Sequence, residues 1–273
     1  MNVVILNLLA INSISGNDYI SEIRLVIKGT EYQNIISNDY GGTLPYEVIV
    51  NGYKRTDCEK ICYLDKEINN VTLKFDTSIT DCTFMFNHVY NIIEVDLSNF
   101  DSSNVNTMLC MFQACISLEK VNFGNIDLSS LKSLFGLFAY CTNLKIVNLS
   151  YIDTSHVESI AGMFDNCRNL IYLDLSNFNT QNVKEMHKLF NNCSSLIYLN
   201  LNTDKFKLKD ESVNTDNIFY STSSNTKFCI NDQKLREKLS LYGKISNCSD
   251  ICFKENIKID ITNKICVESC QNK

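Results

Sequence analysis

A unit of 26 residues returns without slippage through the middle of the chain, at Met85-Phe86, Met111-Phe112, Leu137-Phe138, Met163-Phe164 and Leu189-Phe190. Other columns keep the same interval: Cys115, Cys141, Cys167 and Cys193; Leu118, Leu144, Leu170 and Leu196; Val105, Leu131, Val157 and Val183. A unit this short cannot bury the apolar residues on all of its faces, so neighbouring copies must stack and share one core.

Within one copy, Leu170, Leu173 and Leu175 have the spacing L-x-x-L-x-L, whose last part alternates as a short strand does. Val183, Met186 and Leu189-Phe190 then follow at three- and four-residue steps, the spacing of one face of a short helix. Between them Asp101, Asp127, Asp153 or Asn179 is followed within two residues by Ser or Thr and reads as a cap that holds backbone N–H groups, not as a catalytic acid. The expected fold is therefore α/β, a leucine-rich-repeat solenoid with a parallel sheet of short strands and short helices. Residues 71–205 are the repeats, 17–70 a β-rich N-terminal cap and 206–273 a C-terminal cap with a Cys-rich tail. The alternating segments Tyr19 to Gly29 and Pro45 to Lys54 supply the N-terminal strands, and a short helix is expected over Lys234 to Tyr242.

The segments SNFDSSNVNTM (Ser98 to Met108) and CRNLIYLDLSNFNTQNV (Cys167 to Val183) resemble the BspA-like leucine-rich repeat surface proteins of bacteria and protists, whose units read close to MFxxCxxLxxLDLSNFDTSNVxxM. The resemblance covers residues 82–202. Val89 in place of the first Cys, and Gly124 with Ile126 in place of Ser and Phe, depart from that pattern. It implies a cell-surface or secreted interaction protein used in adhesion, with no catalytic residues to carry over.

The chain has 13 cysteines, which fall into separate populations. Cys115, Cys141, Cys167 and Cys193 share one repeat position and are expected as a structural column of small buried side chains. A line of identical positions does not converge tetrahedrally, so no metal site is expected there. Cys58, Cys62, Cys229, Cys248, Cys252, Cys266 and Cys270 lie outside the repeats. Disulfides suit them in an extracellular segment, with Cys229 to Cys248 the preferred bridge, and a four-Cys zinc site is the competing reading. The Cys-rich pattern breaks off in mid-course at Lys273, as the end of a fragment would.

Strand alternation turns Val121 and Phe123, Val147 and Leu149, and Leu173 and Leu175 inward, so the residues between them point out along the sheet face. One outward column is Asp96, Asn122, Asn148, Asp174 and Asn200; the other is Glu94, Lys120, Ile146, Tyr172 and Tyr198. Ile146, Tyr172 and Tyr198 form the candidate ligand-binding patch, together with Asn148, Asp174 and Asn200. Two alternatives stay open: residues 204–226 fold back over Tyr198, or the tyrosines only pair across strands.

A hydrophobic fraction of 45% is that of a folded chain. The net charge of −6, with no basic run, argues against nucleic acid as a partner. His88, His156 and His187 fall at different repeat positions, and no phosphate loop, HExxH or GxSxG run occurs. Neither an enzyme nor a cofactor is expected. Residues 1–16 carry an apolar stretch from Val3 to Ile11 with no basic residue before it, readable as a signal-peptide core or as a first buried strand. No stretch is long enough to insert directly into a bilayer. The expected function is a non-catalytic surface or secreted adhesion module, at the cell surface or extracellular, that binds a protein or glycan on a host or neighbouring cell. The alternative is an intracellular leucine-rich-repeat scaffold.

Overall fold

A computed structural model of the protein describes residues 21–150, 152–201, 203–230 and 232–243, together with the backbone of two short strands at 259–260 and 265–266. The reading of residues 1–16 and the cysteines at 248, 252 and 270 lie outside them.

The N-terminal segment builds an antiparallel sheet from β1 (Ser21–Lys28), β3 (Glu47–Val50), β4 (Tyr53–Arg55) and β6 (Ile68–Phe75), while β2 (Glu31–Asn34) and β5 (Ile61–Leu64) pair apart from it. Alternation sends Ile23, Leu25 and Ile27 of β1 and Val71, Leu73 and Phe75 of β6 into the core. Asn51-Gly52 turns β3 into β4 with φ of 52° and 87°, as the tightest hairpin turn requires.

β7 (Ile92–Asp96) joins this sheet antiparallel to β1, and β8 (Lys120–Asn122), one repeat later, adds parallel to β7. The order is β4-β3-β6-β1-β7-β8. A second, parallel sheet of β9 (Tyr172–Asp174), β10 (Tyr198–Leu201) and β11 (Lys227–Ile230) lies further along the repeats. Helix α1 (Gln233–Ser240) follows, capped by Asp232 and burying Leu235 and Leu239. β12 (Ile259–Asp260) and β13 (Ile265–Cys266) pair antiparallel.

The expectation of an α/β leucine-rich-repeat solenoid with short helices and one parallel sheet is overturned. The protein is mostly β, its sheets are mixed and antiparallel as well as parallel, and α1 is the one α-helix among the described residues. The physical reason lies in the backbone around the Met-Phe pairs. Met85 N–H donates to the Cys82 carbonyl, Asn87 to Phe84 and Val89 to Phe86, each a three-residue turn. The N–H groups between them, of Phe84, Phe86 and His88, donate to Leu109, Met111 and Gln113 of the next copy. Half of the donors thus leave the copy, whereas a helix would keep them all. Phe84 and His88 hold φ of 61° and 59°, and the same two positions are left-handed in the following copies at Cys110 and Ala114, Gly136 and Tyr140, Gly162 and Asn166, and Lys188 and Asn192. Such residues end a right-handed helix within one turn.

Stacking of copies is direct. Parallel bridges run Asp81, Thr107, Ser133, Ser159, Glu185 and Asn214. The rings of Phe86, Phe112, Phe138, Phe164, Phe190 and Phe219 stack with centroids 5.6 to 6.2 Å apart. The stack runs past residue 205: Ile218-Phe219 take the place of the Met-Phe pair, 29 residues after Leu189-Phe190.

Candidate functional site

Pairing of β1 with both β6 and β7 brings residues from the N-terminal segment and from the first two repeats onto one outer face. The register aligns Thr72, Arg24, Asp96 and Asn122 in one row and Asn70, Val26, Glu94 and Lys120 in the next. Together they line an open groove of about 400 Å³. Arg24 and Lys120 balance Glu94 and Asp96 in charge. Lys120 Nζ lies 3.6 Å from Glu94 Oε2, and Arg24 Nη2 2.9 Å from Glu22 Oε2. All four of these side chains reach solvent, so the pairs add little stability and are open to exchange for a ligand's polar groups. Asn122 Nδ2 donates to Asp96 Oδ1 at 2.9 Å, and the Ser98 N–H donates to the same oxygen at 3.0 Å. The lining offers amide, hydroxyl, guanidinium, ammonium and carboxylate groups over an apolar floor at Val26, a set that forms hydrogen bonds in both directions with a polar, nearly neutral ligand.

The residues singled out from sequence alone sit further along. Tyr172 and Tyr198 stack with centroids 5.1 Å apart and planes 4° from parallel, and Ile146 bridges to Tyr172. Tyr172 and Ile146 are half-buried, but Tyr198 is 5% and Asn200 4% exposed. Tyr198 lies between β9 and β11, so the sheet continues beyond it. Residues 204–226 do not fold back over it; they form the next copy, which leads into β11. Asp174 Oδ1 accepts from Asn200 Nδ2 at 3.1 Å and from Ser176 N–H, and Asn148 Oδ1 accepts from Ser150 N–H. These polar side chains close the strand end by bonding the N–H two residues on, a structural task. None of the six residues lines the groove. Asp101, Asp127, Asp153 and Asn179 likewise each accept the N–H two residues ahead, though no helix follows.

Arg24, Asn70 and Thr72 escaped sequence reasoning because they come from strands outside the repeat. The signal for them was the alternation in Ser21–Lys28 and Val71–Phe75; what it lacked was the long-range register.

The four cysteines of the repeat column are fully buried with free thiols. Each donates to the carbonyl of the Phe in the copy before: Cys115 to Phe86, Cys141 to Phe112, Cys167 to Phe138 and Cys193 to Phe164, at 3.0 to 3.2 Å. Burial pushes all four thiols well above their ordinary value. Cys110, less deeply placed, is pushed up to about 11 by the same cause. A protonated, enclosed thiol is a poor nucleophile and a poor metal ligand. Outside this column, Gly136 at φ 60° stacks on Cys110, and a Cβ there would meet Cys110 Sγ at 2.8 Å.

Cys58 and Cys62 form a disulfide across the start of β5, with Cα atoms 4.6 Å apart. Cys229 is also disulfide-bonded; a pairing with Cys248 lies outside the described residues. Among the described residues, no three or more of His, Cys, Asp and Glu are placed to hold a metal ion. No described helix is long and apolar enough to cross a membrane.

No curated protein and no solved structure matches the chain. A family model does, over residues 56–148 and 119–232, overlapping windows that begin just after β4 and together run through the stacked copies. With more than half of its length matched, the chain belongs to the family described as Mycoplasma protein of unknown function, DUF285.

Proposed function

We propose that the protein is a non-catalytic binding module, displayed on a cell surface or secreted, which engages a protein or glycan of a host or neighbouring cell through the sheet-face groove. The observation that carries this reading is the groove itself: a cavity of about 400 Å³ lined by charge-balanced polar side chains contributed by four strands. A rigid sheet presents such groups at fixed spacing, which lowers the ordering cost of binding. The disulfides at Cys58–Cys62 and at Cys229 support an oxidising compartment. The match of Ser98–Met108 and Cys167–Val183 to the BspA-like surface proteins supports the same placement.

The test is binding of the full chain to glycan and cell-surface protein arrays and to intact cells. A triple variant, Arg24→Ala, Lys120→Ala and Asn122→Ala, should weaken the strongest interaction at least about tenfold, the loss expected for removing one or two good polar contacts. Unchanged binding in a folded variant would exclude the groove. Alkylation trapping of the native protein should leave Cys58, Cys62 and Cys229 unmodified; free thiols there would favour an intracellular scaffold instead.

A further inference from the structure

The two sheets do not meet. Among the described residues no backbone hydrogen bond joins β8 to residues 145–149 of the following copy, although each connects to its other neighbour, β8 to β7 and residue 145 to Ile171. Burial records the same gap. Val121 and Val147, on its two lips, are 6% and 5% exposed, whereas the equivalent Val95 and Leu173 are 1% and 0%. On the opposite side the stack is closed at this level: Phe112 and Phe138 are 5.6 Å apart, Cys141 bonds the Phe112 carbonyl, and Thr107 bridges to Ser133.

The cause is visible in the core. The column Leu97, Leu149, Leu175 and Leu201 holds Phe123 in the second copy, and its ring meets Phe138 of the third edge-on at 6.3 Å. A ring set where the other copies hold a leucine wedges the strand side open. Gly124 acts in the same direction: at φ 58°, a Cβ there would lie 2.8 Å from Ser98 Cα, so its absence lets the second copy settle against the first.

We infer that this seam is a hinge. The turn side serves as its spine, and the strand side opens and closes, so that the block carrying the groove moves against the block carrying β9 to β11. The inference goes beyond the binding reading and does not depend on it.

Hydrogen–deuterium exchange on the full chain tests it. Amides of residues 120–124 and 145–149 should exchange at least about tenfold faster than those of β9 and β10. Phe123→Leu should slow residues 145–149 toward the β9 rate. The pair Lys120→Cys and Ile146→Cys should cross-link under mild oxidant, mapped by mass spectrometry, since a disulfide forms only when the lips come within about 7 Å. Native exchange as slow as β9, no slowing in Phe123→Leu, or no cross-link would each overturn the hinge.

Discussion

On the turn side of the stack, Asp81, Thr107, Ser133, Ser159, Glu185 and Asn214 follow one another in unbroken bridges, while on the strand side the ladder stops after Lys120–Asn122 and resumes only at Ile146. Both sides are made by the same repeat. They differ in how uniform their side chains are: the turn side carries an unvaried Phe in every copy and a Cys in four, and the strand side varies Leu with Phe123 and Phe100 with Ile126 and Ile152. The bridging residues of the turn side vary too, so what distinguishes the two sides is the inward-facing residue: the side whose inward residues vary is the side that parts.

The largest expected effect tests the turn side through its thiols. Burial raises Cys115, Cys141, Cys167 and Cys193 above their ordinary value of 9.0. The unfolded chain ionises these groups near pH 9 and the folded protein keeps them protonated. Their contribution is therefore complete below pH 9 and is lost as pH rises toward the folded values. Each thiol removes about 1.4 kcal/mol per pH unit, so four acting together give a slope on the order of 5 kcal/mol per unit. Urea midpoints measured from pH 8 to 11 should fall steeply above 9, and Cys141→Val should remove about a quarter of the slope. A flat profile would mean that the column is open to water.

Next in size is Phe138→Ala at the middle of the ring ladder, expected to cost about 3–5 kcal/mol in chemical denaturation, as loss of a fully buried ring does. A loss under about 1 kcal/mol would show that the turn-side ladder is held by backbone bonds alone. The smallest effect lies within the strand side, between its closed ladder and the seam. Val95→Ala, within the closed ladder, should cost about 2 kcal/mol and Val147→Ala, at the seam, about 1, because a lip residue loses fewer contacts. Equal losses would erase the contrast between the closed ladder and the seam.

The stacking of copies and the inward columns were legible because they depend only on a constant interval: Val105, Leu118, Cys115 and Phe112 recur every 26 residues and are buried wherever they recur. The helix expected over Val183 to Phe190 was not, because three- and four-residue steps also arise from consecutive turns whose N–H groups alternate between their own copy and the next. A clue was present in Gly136 and Gly162, one residue before the Leu-Phe and Met-Phe pairs, where φ near 60° is needed. Phe84, Cys110 and Lys188 hide it elsewhere, since they adopt the same backbone against their preference. The candidate patch took Tyr198 as the end of its column, because a period that lengthens from 26 to 29 concealed the copy that pairs with it through β11. The groove needed pairing across some 70 residues between β1 and β7, which no local pattern encodes.

That longer copy shows where the repeat admits growth. Thr180 bonds the carbonyl of Lys205 at the same interval at which Thr154 bonds that of Asn179, whereas Glu185 bridges to Asn214, so the three additional residues fall in the corner between Lys205 and Asn214. A peptide tag or an entire guest loop grafted between Lys209 and Ser212, all exposed positions, should leave both ladders in register, which makes this corner the natural attachment point for a label or an affinity handle.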